Sequence, residues 1–263
     1  MNELAQVNLM LMVGLLGMGL GWQGGMRRLH GFYDIQPAVR MMLYGLILGS
    51  FLALAIDKLI FWPSWKLATG GGGSLESWPG VLVSLFIANL TSLVVMFLLT
   101  RRSVRLNKSA PTTGWALGLM LGAMVAVRLG FELLRLHGLT VTVAVSIAIL
   151  VVFMPQMEAV ICSGQGSRGQ RGERWLALFW ATVWRFFGTM FLIAALLAPI
   201  WWIFLIPPFL IARARAEKVW LFDSLTPEAL RRYRRVLAQS GMRSELFEER
   251  QRRWHSSVSS ESE

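Results

Sequence analysis

Between Trp115 and Leu134 the chain reads WALGLMLGAMVAVRLGFELL, a run of 20 residues that carries only two charges, Arg128 and Glu132. A helix rises about 1.5 Å per residue, so the run is long enough to cross the roughly 30 Å of hydrocarbon in a bilayer. Backbone amides meet no water there, so a segment of this kind must pair them internally, as a helix. Gly114, Gly118 and Gly122 recur at every fourth position, and Ala126 and Gly130 continue the spacing. Small residues at that interval clear one helix face of side chains and let a neighbouring backbone approach closely. This helix is therefore the expected centre of a bundle. Gly14, Gly17 and Gly21 form a weaker version of the pattern in an earlier segment.

Comparable apolar stretches run from Leu4 to Gln23, Met41 to Trp62, Val81 to Thr100, Leu139 to Cys162 and Trp175 to Leu197, with a shorter one from Pro199 to Ala212. With 263 residues, 55% of them hydrophobic, and a mean hydropathy of +0.53, the chain is too apolar to hide its apolar groups in a single water-soluble core. No ten-residue alternating pattern suggests a barrel. The expected fold is all-α: a polytopic transmembrane helix bundle of about seven spans over residues 1–212, then a short helical cytoplasmic tail over 213–263. Glu3 and the lack of Lys or Arg ahead of the first span, with no small-residue cleavage site after it, favour a retained helix over a signal peptide. The single cysteine, Cys162, excludes an internal disulfide.

Loop charges set the orientation. Arg27, Arg28 and Arg40 lie between the first two spans, Arg101, Arg102, Arg105 and Lys108 between the third and fourth, and Arg168, Arg171 and Arg174 between the fifth and sixth. The intervening loops hold only Lys66 and Arg135. Cytoplasmic loops collect Lys and Arg, so the basic set is inside, the amino terminus outside, and the membrane is expected to be the plasma (inner) membrane. Residues 175–212 are readable as one long helix or as a hairpin folded at Pro199. The hairpin returns the arginine-rich tail to the cytoplasm, and is preferred for that reason. Trp62, Trp65, Trp78, Trp201 and Trp202 are then expected at the outer headgroup layer, and Trp22, Trp115, Trp175 and Trp220 at the inner one.

Asp57, Arg128, Glu132, Glu158 and Arg185 fall within spans, where an ionised group is expensive and needs a partner, while Lys58 beside Asp57 is close enough to the interface to snorkel out. Counting from the inner ends, Asp57 lies 16 residues above Met41 and Glu132 lies 17 above Trp115, so the two carboxylates share a layer. Arg128 is one turn from Glu132 on the same face. With Asn89 of the third span at nearly the same depth, a polar cluster of Asp57, Asn89, Arg128 and Glu132 is expected. Arg185 leans toward the inner end and is expected to meet Glu158. Cys162-Ser163-Gly164 resembles the Cys-Ser-Gly start of the exosortase-type membrane transpeptidases. Here the cysteine falls at the cytoplasmic end, a loop rich in glycine and arginine follows, and no histidine comes before the tail, so the likeness is set aside and Cys162 is read as a free thiol at a helix end.

After Ala212, Thr226 and Pro227 make a helix start, and Leu230, Tyr233 and Leu237 form an apolar stripe flanked by Arg231, Arg232, Arg234 and Arg235. This suits a helix lying on anionic lipid headgroups or against a partner protein. Eight acidic residues oppose eleven basic ones after Ala212, which argues against nucleic acid.

No metal-ligand spacing such as His-Glu-x-x-His occurs, the Gly70–Gly73 run lacks the Lys-Ser/Thr of a phosphate loop, and no cofactor is expected. Glu132 and Glu158 lie too far apart in depth to form one acid/base pair. The ordering of expectations is therefore a non-enzymatic assembly, accessory or scaffold component first, a small-solute or ion transporter or channel second, and an intramembrane enzyme third.

Overall fold

The computed structural model describes residues 3–29, 31–33, 35–70, 77–236 and 238–239, and every regular element among them is helical. The long helices are α1 (Glu3–Met26), α2 (Ile35–Ile56), α4 (Ser77–Leu99), α6 (Ala110–His137), α7 (Val141–Gln170) and α8 (Arg174–Leu197). Helix α2 continues through a π turn, Asp57–Phe61, into α3 (Trp62–Ala68). Short α5 (Arg102–Leu106) links α4 to α6, and α9 (Trp202–Arg215) follows α8. Six of these helical stretches are long and apolar enough to cross a membrane, so the chain is an all-α bundle of membrane-spanning helices.

Helix α6 is the axis of the bundle, buried along most of its length. Its glycine face packs on α7 in antiparallel register: a Cβ at Gly114 would stand 2.6 Å from the carbonyl oxygen of Cys162, and one at Gly118 or Gly122 would run into the carbonyls of Glu158 or Met154. Gly166 of α7 answers against Ala110 in the same register. Backbone therefore touches backbone over three turns, which only residues without a bulky side chain allow. On another side of α6, Gly45 and Gly49 of α2 perform the same role against Leu117 and Leu121. Helix α1 completes the surround, with Gly14 against Val127 and Gly21 against Leu119.

Pro155 lies inside α7 and withdraws one intrahelical donor, that of the Val151 carbonyl. That carbonyl is the one Gly17 of α1 approaches, where the missing side chain permits close contact.

Between α8 and α9 the chain turns back on itself at Pro199–Trp201. Phe204 stacks on Phe191 near the turn, Phe209 packs on Phe153, and Trp220 meets Trp180 at the other end. A π turn, Ala216–Trp220, and a 3-10 turn, Leu221–Ser224, follow α9, and Asp223 in the latter accepts from Ser167 and Arg171 near the end of α7. Besides the six long helices, the chain thus makes a seventh leg, with Pro207 and Pro208 inside its helix, that runs back beside α8 from Phe191 to Trp180 and is longer than the Pro199–Ala212 segment expected.

Three expectations need correction. Helix α7 does not end at Cys162 but runs two turns further, because Gly164, Gln165, Gly166 and Ser167 are drawn into the packing by partners on other helices. Trp115 does not face headgroups: it is fully buried and donates its indole N–H to the Gly21 carbonyl at 3.3 Å. Trp202 and Trp220 are buried as well.

The chain divides into two units, Met1–Ser224 and Leu225–Glu263. In the second, residues 227–236 are helical, and Thr226 caps their start through its hydroxyl, which accepts from the Ala229 N–H at 3.2 Å. Arg231, Arg232, Arg234 and Arg235 are exposed. Leu237 and residues 240–263 lie outside the described residues.

Candidate functional site

Two polar clusters are held in the bundle. In the first, Arg185 of α8 is only 2% exposed and uses every face of its guanidinium. Nε donates to Oε2 of Glu158 at 3.0 Å, Nη1 to Ser92 Oγ at 2.7 Å and to Gln165 Oε1 at 3.3 Å, and Nη2 to the Cys162 sulfur at 3.0 Å. Gln165 in turn donates to the Ser92 carbonyl of α4 at 2.6 Å, so three helices are tied at one point. Glu158 and Arg185 are the expected pair. Ser92, Cys162 and Gln165 join them beyond the expected pair, and Glu158, Cys162 and Gln165 stand at i, i+4 and i+7 and so share one helix face.

In the second cluster, Arg128 bridges two wholly buried carboxylates. Its Nε and Nη2 donate to Asp57 Oδ2 at 3.0 and 2.7 Å, and Nη2 also donates to Glu132 Oε1 at 2.7 Å. Lys58 lies 3.4 Å from the same Asp57 oxygen, and Arg135 lies 3.0 Å from Glu132 Oε2 as a neighbouring charge without the direction of a hydrogen bond. Trp62 receives both of these outer cations on its ring, at 5.8 and 5.5 Å. Three cations thus face two anions, with Arg128 28% exposed, so the cluster opens toward the bundle surface. Asp57 heads the π turn, and its Oδ1 has no hydrogen-bond partner among the described residues.

Asn89 does not join Asp57, Arg128 and Glu132. It sits exposed on the bundle surface and accepts from the Thr182 hydroxyl of α8 at 3.4 Å. Depth counting gives the height of a residue but not the direction in which its helix is rotated. On α4 it is Ser92, one turn on, that faces the interior.

The two clusters are separate. Glu158 lies level with Gly118, and Glu132 is fourteen residues further along the same α6, which places the carboxylates about 20 Å apart along the axis. Between α7, α8 and α9 there is also an apolar cavity of about 280 Å3, walled by Phe153, Trp184, Phe187, Phe191 and Phe209, which offers shape but no acid, base or nucleophile. In comparisons with protein-family models, curated proteins and solved structures, the chain matches none.

Proposed function

We propose that this membrane-spanning bundle is a non-enzymatic assembly, accessory or scaffold component of the plasma (inner) membrane, with its amino terminus outside and its tail in the cytoplasm. The observation that carries the reading is how fully Arg185 is committed: Glu158, Ser92, Gln165 and Cys162 take four of its five N–H donors, from helices that must stay in register to do so. A group that moves a solute or proton needs partners to exchange, whereas this one is locked. Arg231, Arg232, Arg234 and Arg235 then present the tail to anionic headgroups or to a protein partner. Gentle solubilisation from the native membrane tests this. The full chain should carry a stoichiometric companion that is lost when residues 225–263 are removed, and a chain that purifies alone under crosslinking overturns the reading.

One observation favours a second reading, a small-solute or ion transporter or channel. Asp57 is buried with an unused oxygen beside an arginine open to the surface, and it sits at a π turn, a helix irregularity often found at working sites. On that reading Asp57→Asn abolishes flux while leaving the amount of folded protein unchanged.

A further inference from the structure

Helix packing brings two sequence-distant basic loops to one end of the bundle, where they enclose a cavity of about 490 Å3 whose lining includes Arg105, Lys108, Ser167, Arg171, Arg174 and Asp223. Asp223 is already committed. It accepts from the Ser167 hydroxyl at 2.5 Å and from Arg171 Nη2 at 2.6 Å, which cancels the charge of Arg171. No carboxylate among the described residues pairs with Arg105, Lys108 or Arg174, and all three are exposed. Three uncompensated cations therefore converge on a concave surface. The first turn of α8, which begins at Arg174, adds the positive end of a helix dipole.

We infer that this cavity binds the phosphate of an anionic phospholipid. The ligand chemistry follows from the cations, since Arg and Lys at this density recognise phosphate oxygens. The lipid source follows from what flanks them: Trp175, next to Arg174, is 84% exposed, and Leu106, next to Arg105, is 72% exposed. A free anion has no use for exposed apolar side chains next to its ligands. A lipid does, because its acyl chains need apolar surface close to the cations that hold its headgroup, and indole favours that boundary. The site is on the membrane body and owes nothing to the tail arginines.

The test uses the purified full chain in a neutral detergent, with thermal unfolding followed on addition of short-chain phosphatidylglycerol, short-chain phosphatidylcholine or inorganic phosphate at equal concentration. Phosphatidylglycerol should raise the unfolding temperature well beyond either of the others. The double variant Arg105→Gln with Arg174→Gln should lose that rise, and Arg27→Gln, an exposed arginine outside the cavity, should keep it. Should the double variant fail to fold, Lys108→Gln alone should weaken the phosphatidylglycerol response several-fold. An equal response to phosphatidylcholine overturns the proposal by assigning the effect to the acyl chains, and an equal response to inorganic phosphate overturns the lipid as ligand. A phosphatidylglycerol response that survives in the variants overturns the site.

Discussion

Arg185 and Glu158 meet at 3.0 Å with side chains only 2% and 4% exposed, so neither charge is dispersed by solvent. Removing one partner strands the other, and such losses cost about 3–5 kcal/mol. Arg185→Met and Glu158→Gln are each expected to destabilise the bundle by that order. The paired replacement should cost much less, because no charge is left over. A double-mutant cycle on thermal or chemical unfolding in detergent measures this, and additive single effects would show that the two side chains are not coupled.

The contact of α6 with α7 leads to a sharper contrast among glycines. At Gly118 an added Cβ meets the Glu158 carbonyl, a backbone atom that cannot swing aside, whereas at Gly19 of α1 nothing lies within 4 Å. Gly118→Ala is expected to cost at least the 1–3 kcal/mol typical of an overpacked core. Gly19→Ala should stabilise slightly, by about 0.5–1 kcal/mol, through helix propensity alone. Opposite signs in one unfolding assay support the register described, and equal effects refute it.

Arg128 holds two carboxylates, while Lys58 and Arg135 each attend one from side chains that are 55% and 43% exposed. Exposed ion pairs contribute about 0–1 kcal/mol. Lys58→Ala and Arg135→Ala should therefore be nearly silent, whereas Arg128→Met should be the most damaging change in the cluster. Restoring charge balance with Asp57→Asn in the Arg128→Met background should recover part of the loss, as read from the folded fraction after extraction. A Lys58→Ala effect as large as that of Arg128→Met would contradict this account.

How much of this was readable beforehand depended on what kind of geometry each residue required. The spans followed from length and hydropathy, and Arg128 with Glu132 from their spacing along one helix. The meeting of Arg128 with Asp57 followed from counting depth, because both helices start at the same face. Asn89 escaped that logic: rotation about the α4 axis places Ser92 inward, and no local pattern encodes rotation between helices. Gly164 to Ser167 read as a loop because the stretch after Cys162 is rich in glycine and arginine, yet each finds a partner or a close neighbour elsewhere in the bundle, and a single sequence does not display such partners. Gly45 and Gly49 carry the same fourth-residue spacing as α6 in a shorter form, and packing on Leu117 and Leu121 is what gives it meaning.

The path of the seventh leg is open to direct measurement because the chain contains a single cysteine, Cys162, and that one is wholly buried. An impermeant maleimide should leave the unmodified protein unlabelled until it is denatured, so cysteines introduced elsewhere report without background. Lys66, in the last turn of α3, and Lys108, between α5 and α6, are exposed and lie toward opposite ends of the bundle. Lys66→Cys and Lys108→Cys should therefore label from opposite sides of sealed vesicles. If the chain returns along α8 as the contacts of Trp220 with Trp180 and of Asp223 with Ser167 require, Lys218→Cys must label from the same side as Lys108→Cys. Labelling of Lys218→Cys from the Lys66 side would mean that the chain leaves the membrane at Pro199 without coming back, and the hairpin between α8 and α9 would have to be abandoned.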